Sequence, residues 1–369
     1  MTTVDAGDTR RSSDDGSRVR QAARGSAFNL VGAVTSAIVS FFTVGLITNT
    51  YGQSQAGVFF AATALFTLAA NGARLGAESS LTYFVSRLRA DERRGSVRAV
   101  TRTALRATAA VAIMFAFVGF LGADQIAAAL AEETDNARAL ATMIRVLAVA
   151  VPAFALSQAM FGASRGFGTM RPSVIAGQLV RPITQLLLVL VAVALVADVA
   201  ALAWAWAGAA LASLVVMARW LLRRLNRIDA PVESFQSAEY WRFASPRALT
   251  DLISSALERT DLLLVAYILG EAQAGVYGAS NRLIVAGQMM MFATSQSMAP
   301  HLSAAFGRGD NDEAEHVLHT VSAWNVTLLW PVFLTMAFGA ETILRLFGED
   351  FTEGARLVQI FSVALVVII

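Results

Sequence analysis

Apolar residues in this chain fall into long blocks separated by short polar segments. Blocks of about 20 apolar residues mark membrane-crossing helices. Ten are predicted, at roughly 27–50, 55–85, 103–123, 139–161, 173–197, 199–218, 244–268, 274–304, 316–340 and 355–369. The second and eighth are long enough to be tilted or to run past the bilayer. Pro152, Pro182, Pro300 and Pro331 fall inside spans, where neighbouring helices can satisfy the freed backbone groups. Residues 1–24 are polar with mixed charge and read as a disordered tail. The apolar run that follows is too long for a signal-peptide core, so it reads as a retained helix.

The blocks repeat. Gly52-Gln53-Ser54-Gln55-Ala56-Gly57-Val58-Phe59 returns 218 residues later as Gly270-Glu271-Ala272-Gln273-Ala274-Gly275-Val276-Tyr277. A weaker echo, at an offset of 217, relates Gly122-Ala123-Asp124-Gln125-Ile126 to Gly339-Ala340-Glu341-Thr342-Ile343. Self-similarity at this spacing predicts two homologous multi-helix halves, as in many transporters. The expected fold is an all-α integral membrane protein with two homologous lobes. Residues 25–242 form the first, six-helix lobe. Residues 243–369 form a second lobe that stops after about four helices, so a truncated second lobe is expected.

Composition agrees with a membrane protein: 56% of residues are hydrophobic, 15% are charged, and mean hydropathy is +0.57. The absence of cysteine excludes disulfides, thiol nucleophiles and cysteine metal sites. All 29 basic residues are Arg, so a P-loop lysine is excluded as well. The Arg and Ala bias points to a GC-rich bacterial genome. Arg placement gives an orientation. One side carries Arg10, Arg11, Arg18, Arg20 and Arg24, then Arg87, Arg89, Arg93, Arg94, Arg98, Arg102 and Arg106. It also carries Arg165, Arg171, Arg219, Arg223, Arg224, Arg227, Arg242 and Arg308. The opposite loops hold only Arg138, Arg345 and Arg356, among several carboxylates. The N-terminus is therefore expected in the cytoplasm. The basic stretch 86–106 reads as an anchor on anionic membrane lipids; without interleaved aromatics it does not read as a nucleic-acid site.

Charges inside the spans are the candidate chemistry, because each costs about 2.5–3.5 kcal/mol to insert. Arg247, Asp251, Ser254, Glu258 and Asp261 lie within an arc of roughly 80° on the seventh span. Shifted back by 218 they correspond to Asn29, Ala33, Ser36, Ser40 and Thr43 of the first span. Both halves thus present a polar face from their first helix, either to a shared wet cavity or to interhelical packing. Arg74 and Glu78 can pair at a spacing of four. Arg145 and Arg181 have no acidic neighbour at helical spacing, so each needs an anion, a distant carboxylate or water. Arg259 and Arg282 complete the intramembrane cations. Arg165 and Arg171, beside Gly166 and Gly168, read as solvated anchors ahead of phosphate ligands. His301, His316 and His319 read as ordinary polar residues, and no metal or cofactor is expected. No nucleophile–base or carboxylate pair suited to catalysis is visible, so an enzyme is not expected.

The residues carry a resemblance. Tyr51-Gly52 through Phe59, and Leu75-Gly76-Ala77-Glu78 ahead of the basic loop, resemble the first helices of Wzx-type polysaccharide flippases. Asp261-Leu262-Leu263-Leu264, Gly270 and Ala274-Gly275-Val276-Tyr277-Gly278-Ala279 are similar to the start of that family's second lobe. The wider superfamily also contains the lipid II flippase MurJ and the MATE drug exporters. The resemblance implies transport, by alternating access across the bacterial cytoplasmic membrane, of a glycan on undecaprenyl pyrophosphate. For such an anionic lipid-linked glycan, the intramembrane Arg145, Arg181, Arg74, Arg247, Arg259 and Arg282 are the candidate contacts. Asp251, Glu258 and Asp261 are the candidate ion-coupling carboxylates. Partner glycosyltransferases and a polysaccharide polymerase are implied too. The alternatives are a MATE-like cation-coupled drug antiporter and a non-transporting truncated product.

Overall fold

The computed structural model describes residues 8–231, 233–308 and 311–368, and these are helical throughout with short connecting turns. The helices are α1 (Asp8–Ala73), α2 (Ala77–Ala90), α3 (Arg94–Leu121), α4 (Ala123–Leu130), α5 (Thr134–Gly166) and α6 (Arg171–Val174). They continue as α7 (Arg181–Ala194), α8 (Leu202–Asn226), α9 (Ser237–Arg308), α10 (Asn311–Phe338), α11 (Ala340–Leu344) and α12 (Ala355–Ile368).

Two of these are bent into a V. In α1 the bend is Gly52, with φ 74° and ψ −177°; in α9 it is Gly270, with φ 83° and ψ 173°. Positive φ with extended ψ is a region essentially restricted to glycine. The first glycine of each repeated motif is therefore the elbow of its V. The weaker echo is structural too: Gly122 and Gly339 cap the N-termini of the short helices α4 and α11.

Several expectations shift. Residues 8–24, expected as a disordered tail, continue α1 as helix, while residues 1–7 lie outside the described residues. Extending a helix that is already nucleated costs far less than starting one. The second span was expected to be continuous over 55–85; it breaks at Leu75 (φ 50°) and Gly76 (φ 65°) and resumes as α2. A side chain at Gly76 would press on the Ala244 carbonyl of α9, at 2.8 Å. Among the described residues six stretches are long and apolar enough to cross a membrane: Val31–Ala90, Arg94–Leu121, Thr134–Gly166, Arg171–Ala194, Val199–Asn226 and Leu318–Phe338. The first of them holds both arms of a V. The expected span 244–268 fails that test because it carries Arg247, Asp251, Glu258, Arg259 and Asp261.

The two Vs meet at their elbows. A Cβ on Gly57 would overlap the Glu271 carbonyl, and one on Gly275 would overlap that of Gln53. Each repeat motif thus packs on its own copy, backbone to backbone. Small residues permit that approach, as in membrane helix pairs generally. Polar contacts rim the crossing. Gln53 donates through Nε2 to the Asp350 carbonyl at 2.5 Å, and the Glu132 N–H donates to Glu271 Oε2 at 2.9 Å. These two contacts are copies of one another at the offset of 218. Asn136 Nδ2 donates to Ser54 Oγ at 2.7 Å and to Glu271 Oε1 at 3.0 Å. Asn49 Nδ2 reaches the Leu346 carbonyl at 2.8 Å.

Apolar packing forms two clusters. One contains the elbows, with Phe59, Leu140, Val276, Phe333 and Phe351 all buried. The other lies toward the Arg-rich end, around Leu81, Phe84, Leu88, Met217 and Leu221. Tyr240 and Ala244 of α9 belong to this second cluster, so the start of α9 is held by the first repeat.

The elbow contact makes two predictions. Gly57→Val and Gly275→Val each destabilise the protein by about 1–3 kcal/mol or more through overpacking, read as a lower melting temperature in detergent. Unchanged melting would show that the elbows are not in contact. The second concerns Glu271, which lies in the turn between predicted spans. Burial pushes its carboxyl up, but hydrogen bonds from the Glu132 N–H and the Asn136 side chain outweigh this and hold it below its ordinary value. A carboxyl lowered on folding stabilises above its unfolded value and loses that contribution as pH falls through its folded one. Glu271→Gln therefore lowers the melting temperature at neutral pH, and the gap narrows at about pH 4 and below. A gap that stays constant down to pH 3 would assign the effect to shape and not to charge.

Candidate substrate site at the seam of the two repeats

The site begins with a close helix crossing. In α5, Gly162 and Gly166 lie one turn apart and face α2. A Cβ on Gly162 would overlap the Glu78 backbone, and one on Gly166 would press on Val85 and the Leu81 carbonyl. Thr82 Oγ1 donates to the Gly162 carbonyl at 3.1 Å, and Ser86 Oγ donates to that of Gly166 at 3.3 Å. This approach brings Arg165, in the last turn of α5, against Glu78 in the first turn of α2. Glu78 is the bridge. Arg74 Nη1 donates to Glu78 Oε2 at 2.7 Å, and Arg165 Nη2 donates to Glu78 Oε1.

The second repeat contributes from α9. The Arg247 guanidinium sits 3.6 Å from the centroid of the Phe243 ring, and its Nη1 donates to the Phe243 carbonyl at 3.1 Å. Phe243 stacks on Tyr83 of α2, at 4.3 Å between centroids and 14° between planes. Asp251, one turn on from Arg247, lies within electrostatic reach of Arg74, Glu78 and Arg247. Three guanidiniums thus face two carboxylates. One Arg74 nitrogen, Nε, is buried without a hydrogen-bond partner. A cavity of about 910 Å³ opens here, lined by Glu78, Thr82, Tyr83, Arg87, Arg165, Phe243 and Arg247. It combines cations for an anionic group with an aromatic shelf for an apolar or sugar face.

The other predicted residues are dispersed. Arg145, which has no acidic neighbour at helical spacing, finds a distant carboxylate, the second of the three options: its Nη2 donates to Asp124 Oδ2 of α4 at 2.6 Å. Asp124 is 21 residues away on another helix, where helical spacing cannot reveal it. Arg181 stands apart from the seam. It caps a π-helical turn, Ile175–Val180, set just ahead of Pro182, which has no N–H to give to a regular turn. Its guanidinium lies 5.0 Å from the Phe154 centroid, with Nη1 buried and unbonded. Arg259 and Arg282, on the two arms of α9, are close enough to repel. Asp261 accepts a hydrogen bond from Tyr277 at 2.6 Å, and Glu258 is exposed. Of the nine predicted residues, then, Arg74, Arg247 and Asp251 converge.

Sequence reading missed Arg165, taken as a solvated anchor, and the Tyr83–Phe243 stack. The spacing of Gly162 and Gly166 was the available signal for Arg165, since it marks a helix face built for close contact.

Sequence and fold comparisons agree with this architecture. The family described as polysaccharide biosynthesis protein matches residues 22–306, and the MatE family matches residues 246–369. No curated protein matches the chain in sequence. The fold is similar to the inward-facing conformation of a multidrug resistance MATE family transporter of the MOP superfamily. That likeness has a TM-score of 0.71 at 14% identity, covering 93% of this chain and 81% of that one. It is similar to lipid II flippase MurJ in an inward closed conformation, with a TM-score of 0.70 at 11% identity over 91% and 72% of the two chains. A MOP superfamily transporter from Pyrococcus furiosus, described as having a binding pocket of reversed polarity, gives a TM-score of 0.66 at 15% identity over 93% and 78%. The fold is thus that of the two-lobed MOP transporters. With most of its length matched, the chain belongs to the polysaccharide biosynthesis protein family.

Proposed function

We propose that this chain carries an anionic, lipid-linked oligosaccharide across the bacterial cytoplasmic membrane, with its N-terminus in the cytoplasm. The observation that carries this reading is the seam cavity, where Arg165 and Arg247 face one space beside an aromatic shelf and Arg74 joins them through Glu78. A pyrophosphate matches the planar fork of arginine, which can bind two oxygens at once. Glu78 occupies Arg74 and Arg165 in the structure. An arriving pyrophosphate competes with Glu78 for the same guanidiniums, so binding loosens the tie between α2 and α5. The polyprenyl tail stays in lipid. The Gly52 and Gly270 elbows let the helix arms tilt about the crossing, exposing the seam to one side and then the other. Asp251 is the seam carboxylate best placed to couple an ion. The membrane potential would supply about 2.3 kcal/mol per charge per 100 mV. Glycosyltransferases and a polymerase are the partners this role calls for.

In a strain that depends on this protein for glycan export, Arg165→Gln and Arg247→Gln should each reduce export about 10–100-fold at normal protein level. That loss corresponds to one charge-assisted contact of about 1.5–3 kcal/mol. The Lys variants should recover part of it. Arg145→Gln, whose side chain is tied to Asp124, should cost much less. Normal export by the Arg variants, with transport lost in Asp251→Asn, would favour a MATE-like cation-coupled drug antiporter, the reading that the MatE match supports.

Orientation has its own test. The chain has no native cysteine, and Glu92 and Glu353 are both exposed, at opposite ends of the helices. An impermeant thiol reagent applied to intact cells should label Glu353→Cys and not Glu92→Cys. The reverse pattern would invert the topology.

A further inference from the structure

A second basic cavity lies at the Arg-rich end, apart from the seam. The chain leaves α5 at Gly166 and turns through Phe167, Gly168 and Thr169. Gly168 adopts φ 78°, and Ser164 Oγ donates to the Thr169 carbonyl at 2.6 Å, closing the turn. The last turns of α8 face it with Trp220, Arg223 and Arg224, and Arg227 follows just past the helix end. The two segments enclose about 480 Å³, and the lining holds three guanidiniums and no carboxylate. Phe167 is the floor. Its ring meets Trp220 edge-on at 5.9 Å and lies 5.4 Å from the Arg224 guanidinium carbon.

Two ordinary roles do not account for this arrangement. The first is neutralising the C-terminus of α8, where cations are favoured. Arg98 already does this: Nε and Nη2 donate to the Leu225 carbonyl, each at 3.2 Å, and Nη2 also donates to that of Ile228 at 2.6 Å. The second is diffuse anchoring on an anionic membrane surface. That needs positive charge spread over a face and no cavity. Here three exposed guanidiniums are gathered around one space on an aromatic floor, an arrangement that favours a bound anion over diffuse counter-ions. Arginine forks select tetrahedral phosphate oxygens, and Trp220 suits the boundary between headgroup and hydrocarbon.

We infer that this pocket binds a phosphate group at the Arg-rich surface, as a second anion site separate from the transport cavity. The inference does not depend on the transport reading. The phosphate belongs either to a lipid headgroup or to a free anion in solution.

Calorimetric titration of the purified full-length protein in detergent tests this and separates the two sources. The probes are short-chain phosphatidic acid, inorganic phosphate and pyrophosphate. Saturable binding is expected for at least one of them. The triple variant Arg223→Gln, Arg224→Gln, Arg227→Gln should weaken it by about tenfold or more. A charge-matched control, Arg93→Gln, Arg94→Gln, Arg102→Gln, removes the same charge from the same end and should change it less than about twofold. Phosphatidic acid bound in preference to the inorganic anions assigns the site to a lipid headgroup. Equal or tighter binding of inorganic phosphate or pyrophosphate assigns it to a free anion. Should the Gln triple fail to fold, the matching Lys triple keeps the charge but loses the fork, and an intermediate loss is expected. No saturable binding of any probe, or equal losses in the pocket and control variants, would overturn the inference.

Discussion

The crossing of two glycine elbows is the constraint on which the rest of this structure depends. Gly57 and Gly275 bring the backbones of α1 and α9 so close that no side chain fits between them. Gly52 and Gly270 bend each helix at the same place relative to that contact. A membrane interior offers little hydrophobic drive for helices to associate, since lipid tails are as apolar as leucine. Close van der Waals contact and satisfied polar groups must do this instead. The polar rim of Gln53, Glu271, Asn136 and Asn49 supplies the second of these.

Away from that crossing, toward the Arg-rich end, the seam cavity opens between α2, the end of α5 and the start of α9. There the packing is polar where the elbow is bare backbone. Glu78 holds Arg74 and Arg165, and Arg247 rests on Phe243. Removing one member of a buried ion pair is costly because the other charge is left without a partner. The same cost makes a seam with surplus positive charge receptive to an anion. In the proposed transport cycle the tight elbow resists separation and the charged seam exchanges partners.

Much of this was legible in the residues. The repeat of Gly52–Phe59 at Gly270–Tyr277 marks the two related lobes, and the structure places the first glycine of each copy at an elbow. Arg74 and Glu78 do pair, as their spacing of four suggests, but the turn at Leu75 and Gly76 brings them together in place of a continuous helix face. Partners on different helices were hidden. Asp124 lies 21 residues from Arg145, and Glu78 lies 87 from Arg165. No periodicity links them, since nothing in one helix reports its rotation relative to another. The break at Leu75 and Gly76 was hidden too, because it answers to the Ala244 carbonyl of a helix far along the chain.

By itself, then, the sequence determined the class of the protein: a helical membrane chain of two related lobes, with Arg gathered at one end. These are local and compositional properties, and local chemistry is enough to impose them. The tertiary structure decided which charges meet. It drew Arg165 into the seam, left Arg145 with Asp124, and gathered Arg223, Arg224 and Arg227 around Phe167. Those outcomes depend on how rigid helices cross, and a crossing is set by surfaces that are far apart in the chain.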